Sequence, residues 1–175
     1  SEIEEIEKEI RKSVEEVKKT LDKVVTEIRK STREHEKKSE EVRKRSKELN
    51  KDLRDRLVRD EKILKEVEDR SREMNDRLRK LSERNRKLNE DLIRRLEELV
   101  KRDKERVEDV ERKLRAGKDV KTVLDDVRRV NEETKKRIRD LLEESKRSDE
   151  EADRRAEELL ERNERLVRKV AEEAR

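Results

Sequence analysis

The chain has 175 residues, the length of one domain, with 61% charged and 27% hydrophobic residues, and its 55 basic and 51 acidic side chains leave a net charge of +4. The signs are interspersed rather than blocked, so no basic stripe marks a nucleic-acid footprint; with no Phe, Tyr or Trp, there are no rings to stack bases or to anchor at a membrane interface. Zero cysteines exclude disulfide and thiol chemistry, no apolar run nears the roughly 20 residues that span a bilayer, and the first residues lack a signal-peptide core. A soluble, cytosolic chain is the default reading, and the sequence itself leaves the compartment open.

Such a charged composition would by itself suggest disorder, but the apolar residues fall at helical spacing and Glu, Lys, Arg and Leu fill the positions between them. Ser1-Glu2-Ile3-Glu4 reads as a capping box opening the first helix. Its stripe runs Ile3, Ile6, Ile10, Val14, Val17, Leu21, Val25, Ile28, Thr32, His35, Ser39, Val42, Ser46, Leu49, Leu53, Leu57. The mean step is near 3.6, which suits a nearly straight helix better than a left-handed supercoil.

At Val58-Arg59-Asp60-Glu61 a tight turn is expected, with Asp60 as the cap of a second helix and an acidic first turn behind it. The second stripe passes through Leu64, Val67, Ser71, Met74, Leu78, Leu81, Asn85, Leu88, Leu92, Leu96, Leu99, Val107, Val110 and Leu114. The single glycine then follows in a chain without proline: Gly117 can take the left-handed conformation that closes a helix, and Asp119 can cap the next. The third stripe runs from Val120 through Val127, Thr134, Ile138, Ser145, Ser148, Ala152, Ala156, Asn163 and Val170 to Ala174. Ser148-Asp149-Glu150-Glu151 has the form of a capping box that would start a fourth helix, but the stripe continues through it, and a continuous helix is expected.

The two turns leave three helices, about 2–57, 61–115 and 119–174, each near 83 Å long. The expectation is an all-α, antiparallel, up-down-up three-helix bundle of long, nearly straight helices occupying 1–175 as one domain. With short turns, residues at one height on the first two helices have numbers summing to about 117, and the third helix lies about 117 further on. That arithmetic gathers the polar interruptions of the stripes: Ser46 with Ser71 and Asn163, His35 with Ser82 and Ala152, Ser31 and Thr32 with Asn85 and Ser148. It also sets Ile28 beside Asn89 and Ser145, Val42 beside Asn75, and Val14 beside Asp103 and Asn131. The expected polar core is therefore Thr32, His35, Ser39, Ser46, Ser71, Asn75, Ser82, Asn85, Asn89, Asn131, Thr134, Ser145, Ser148 and Asn163. A buried amide or hydroxyl left unpaired costs about 1 to 3 kcal/mol, so grouping such side chains lets them satisfy one another.

Equal helices, charged exteriors built from Glu, Lys, Arg and Asp, no aromatics or proline, and Asn, Ser and Thr grouped in an aliphatic core resemble de novo designed helical bundles with buried hydrogen-bond networks. The resemblance is one of style and covers the whole chain; it implies a fold, an assembly state or a switch rather than a natural substrate.

No constellation for catalysis, a cofactor or a metal is found. His35 is the single histidine and has neither a ligand set nor a nucleophile, so it is read as a core hydrogen-bonding residue with Ser82 as partner and the small Ala152 and Ala156 leaving it room. Pairs such as Glu97-Glu98 and Glu143-Glu144 diverge by about 100° on a helix and read as solvated face. Asp103 is placed at the edge of the core, reaching water or a cation such as Arg128. Doublets such as Leu92/Ile93 and Leu159/Leu160 widen the stripe, as three mutually facing helices require and as a partner-binding edge would.

The chain is accordingly read as a structural scaffold whose polar layers set helix register. It is expected to be no enzyme, with no cofactor, nucleic-acid, membrane or small-molecule partner, and monomeric. The alternative is a protein-interaction module, oligomer subunit or switchable bundle, with self-association or domain swapping through the weakly marked turn at Asp60.

Overall fold

Residues 2–56 and 60–173 are described by a computed structural model, in which α1 spans Glu2–Arg56, α2 Glu61–Arg115 and α3 Val120–Glu173. The fold is an all-α three-helix bundle. Four expectations lie outside the described residues: the Ser1 cap, the core place of Leu57, the reversal at Val58 and Arg59, and Ala174.

The helix ends carry their own physical signals. Acidic Glu2, Glu4 and Glu5 sit in the first turn of α1 and basic Arg54 and Arg56 in its last, and α2 ends on Arg112, Lys113 and Arg115, each set complementing the helix dipole. Asp60 caps α2 by accepting the Ile63 N–H at 3.4 Å, while its carbonyl receives the Leu64 N–H at 3.1 Å. At the other end, Gly117 N–H reaches the Leu114 carbonyl (3.2 Å) and Lys118 N–H the Lys113 carbonyl (3.3 Å), the paired bonds of a Schellman stop. Gly117 has φ of 89°, in the left-handed region. Asp119 opens α3 with the same economy, accepting from the Lys121 N–H and the Thr122 hydroxyl.

Two compact units divide the chain, and every helix contributes to both. The first comprises residues 1–30 and 89–146. Its core has two aliphatic clusters, Val17, Val24, Ile28, Leu92, Leu96, Ile138 and Leu141 in one, and Ile6, Ile10, Val107, Leu114, Val123 and Val127 in the other. Between those clusters the helices bring in polar residues, Ser13 on α1, Asp103 on α2, and Asn131 and Thr134 on α3 beside the buried Val130.

The second unit comprises residues 31–88 and 147–175. Its aliphatic core is thinner, with Val42, Met74, Leu78 and Ala156 buried in one cluster and Leu53 and Val67 in the other. Polar groups occupy the remaining levels, and α3 passes through Ser148 as unbroken helix.

No neighbouring atom lies within 4 Å of a Cβ built on Gly117, so the backbone alone resists a side chain there. Gly117→Ala is expected to lower stability by about 1 to 2 kcal/mol, the cost of a left-handed L-residue, with the fold intact. Denaturant unfolding followed by circular dichroism checks this.

Candidate functional site: the buried polar layers

In the first unit, the Thr134 hydroxyl shares its one proton between Asp103 Oδ1 at 2.7 Å and the Val130 carbonyl at 3.0 Å. Asn131 completes the layer when its amide is oriented so that nitrogen faces the acid: Nδ2 then donates to Asp103 Oδ2 at 2.8 Å and its oxygen accepts from the Ser13 hydroxyl. All three helices are joined through the Asn131 amide, which meets Asp103 of α2 with its nitrogen and Ser13 of α1 with its oxygen. A second contact of this unit runs from the Ser145 hydroxyl to Asn89 Oδ1 at 2.7 Å, both residues being buried.

Asp103 is not at the edge of the core. It is only 2% exposed, and Arg128, the cation suggested for it, pairs with Glu9 at 3.2 Å instead. The physical reason is that Thr134 and Asn131 supply enough donors for the acid to be buried without a salt bridge. Burial raises the Asp103 pKa above the ordinary 3.8, while the Thr134 hydrogen bond and the charge of Arg106 oppose the rise.

In the second unit Asp149 plays the corresponding part, accepting from the Ser31 hydroxyl on α1 and from Asn85 Nδ2 on α2 at 2.7 Å. Ser148 donates to the oxygen of the same Asn85 amide at 2.7 Å, so the Asn85 side chain is used at both ends. One turn along, His35 Nδ1 lies 2.5 Å from Asp153 Oδ1. A carboxylate oxygen accepts, which puts the proton on Nδ1 and leaves Nε2 buried without a partner. The expected partner Ser82 is only half-buried and does not fill this role; Ala152 and Ala156 are both buried, as the ring requires.

The level of Ser46, Ser71 and Asn163 is looser than the sequence arithmetic suggests. Ser46 turns to Met74 Sδ at 3.4 Å, Ser71 is half-buried, and Asn163 is 6% exposed with Nδ2 unpartnered. Asn50, buried on α1, likewise has an unpartnered Nδ2. Of the remaining expected positions, Ser39 is buried, and Thr32 and Asn75 are half-buried.

Sequence reasoning missed Ser13, Asn50, Asp149 and Asp153. Three of them follow from one correction, because Ser13–Asn131, Ser31–Asp149 and His35–Asp153 are all separated by 118 residues. Ion pairs along the same helix pair follow at 119: Glu9–Arg128 and Glu16–Lys135 in the first unit, and Lys38–Glu157 and Arg45–Glu164 in the second. The hydrogen bond that Lys38 donates to Glu157 lifts the Lys38 pKa above its usual 10.5, and at Lys135 burial works downward but the bonds to Glu132 and Glu16 prevail. These pairs are exposed on at least one side and add little to stability.

Among the described residues no group of three or more His, Cys, Asp or Glu is placed to hold a metal, and no helix is long and apolar enough to cross a membrane. No protein-family model, curated protein or solved structure matches the chain.

Two substitutions separate the roles of the buried acids. Folding raises the Asp103 pKa, so the stability linked to its proton is fully present below 3.8 and is lost as pH rises through the folded-state value. Asp103→Asn stays neutral and still accepts from Thr134, with Asn131 turning its amide over. It is expected to unfold at a higher temperature than the parent at neutral pH, the gain shrinking as pH falls toward 3.8; thermal melts across that window give the answer. Asp149→Ala, by contrast, orphans the Asn85 amide and the Ser31 hydroxyl and is expected to cost about 2 kcal/mol in denaturant unfolding at neutral pH.

Proposed function

We propose that this chain is a structural scaffold of designed character, without catalytic activity, in which buried polar layers set the register of three long helices. The observation that carries the reading is the constant separation of 118 residues in the α1–α3 hydrogen bonds of both units. Sliding α3 by one turn toward a separation of about 114 would set Asn131 against Val17, stranding an amide in the aliphatic core. An aliphatic core by itself has no such preference, because Leu, Ile and Val repeat at every turn and repack with small loss.

Two features support the designed character. The outer positions are filled almost entirely by Glu, Lys, Arg and Asp without aromatics or proline, and the interruptions of the core are grouped by level rather than scattered. Polar groups at these levels contribute specificity rather than net stability, which is the use expected where alternative registers compete.

The test is to replace Ser13, Asp103, Asn131 and Thr134 together by aliphatic residues of similar size. The expected outcome is an unchanged or higher melting temperature with the amide NMR spectrum splitting into more than one set of resonances. A variant that melts higher and keeps one sharp set would remove the register role, and one that unfolds outright would make the layer a source of stability instead.

A further inference from the structure

The α2–α3 groove of the second unit has an apolar floor and a cationic rim. Its floor is formed by Met74, Leu81 and Leu88 on α2 and Leu159 and Leu166 on α3, and Leu88 is 36% exposed. Above that floor stand Arg70, Arg77, Lys80, Arg84, Arg155 and Arg162. Three acids, Glu73, Glu151 and Glu158, share the lining, and two of them are occupied along their own helices by Arg77 (2.9 Å) and Arg155 (2.8 Å). The groove is thus left with an excess of positive charge.

The spacing is that of a helix interface. Arg70, Arg77 and Arg84 recur every seven residues, as do Arg155 and Arg162, Met74, Leu81 and Leu88, and Leu159 and Leu166. Apolar rows flanked by charged rows at this period are how one helix presents itself to another. The first unit provides a contrast: its α2–α3 groove is lined by Arg95, Arg102 and Arg137 against Glu98, Asp140 and Glu144, a balanced set, with Arg95 and Glu144 3.9 Å apart across it. A second, independent observation comes from Asn163, which lines the second unit's groove beside Met74 and Leu159, is 6% exposed and has no partner for Nδ2. A buried amide donor left unmet in the wall of a groove is a place where an acceptor side chain of an occupant can be satisfied.

We propose that this groove is a docking site for an amphipathic helix whose apolar stripe is flanked by glutamate or aspartate at heptad spacing and carries an acceptor side chain at the level of Asn163. The occupant lies between α2 and α3, apolar residues on the leucine floor, carboxylates toward the two arginine rows. This surface goes beyond the scaffold reading and stands without it, since a bundle of fixed register has no need of an unbalanced groove.

The experiment uses the full chain and three synthetic helical peptides. The first has leucine at the two core positions of each heptad, glutamate at both flanking positions and one central aspartate in the core row; the second exchanges glutamate for lysine, and the third exchanges the central aspartate for leucine. Fluorescence anisotropy at low salt is expected to show saturable binding of the first peptide and at least about tenfold weaker binding of the lysine peptide. Arg77→Glu combined with Arg84→Glu should reverse that preference, whereas Arg95→Glu with Arg102→Glu in the first unit should leave it unchanged. Asn163→Leu should abolish the advantage of the aspartate peptide over its leucine counterpart, with circular dichroism confirming the fold of each variant. Equal binding of the glutamate and lysine peptides, no binding, or equal sensitivity to the first-unit pair would overturn the proposal. So would sedimentation showing a dimer that the acidic peptide does not dissociate, since a second copy would then occupy the groove.

Discussion

Burying a polar group is costly without a partner, and in this molecule the buried side chains that find one do so chiefly between helices. Leucine and valine tell a helix which face to turn inward but not how far along its neighbour to sit. The hydroxyls, amides and carboxylates do, because each makes its bond at one longitudinal position only. Ser13 with Asn131, Ser31 with Asp149 and His35 with Asp153 repeat one separation, and the exposed ion pairs of the same seam fall one residue beyond it.

The two units meet that requirement to different degrees. In the first, a carboxylate, an amide and two hydroxyls close a layer between two aliphatic clusters, and the acid is buried without a salt bridge because its donors are all neutral. In the second, Asp149 gathers Ser31 and Asn85 in the same manner, yet His35, Arg43, Asn50 and Asn163 each keep a buried nitrogen without a partner. The second unit also has the smaller aliphatic clusters and the groove whose charges do not balance. Of those four residues only Asn163 lines that groove, and an unmet donor beside an open apolar floor is what a surface shaped for an additional helix would present.

Electrostatics has an orienting rather than a stabilising part here. The ion pairs of the α1–α3 seam are exposed on at least one side and count for little singly. Each nevertheless sets opposite charges against one another, which distinguishes that seam from the α2–α3 groove of the second unit, where arginine rows face one another with few acids between them. Like-charged rows across a groove favour an anionic occupant and disfavour a cationic one.

Helix identity, the stop at Gly117, the caps at Asp60 and Asp119 and the three-helix architecture were all legible in the sequence, because each rests on local chemistry or on a period of 3.6. Part of the grouping of polar residues by level was legible too, Asn89 with Ser145, Asn85 with Ser148 and Asn131 with Asp103, but not a bonded level of Ser46, Ser71 and Asn163 or the pairing of His35 with Ser82. What only the tertiary structure decided was which neighbour each polar group takes. A separation of 118 rather than 117 moves the α3 residue facing Ser31 from Ser148 to Asp149 and the one facing His35 from Ala152 to Asp153, since one residue turns a side chain by about 100° around its helix. The burial of Asp103 and the orphaned amide of Asn163 lay beyond the sequence for the same reason: both depend on distances across the bundle that no single helix specifies.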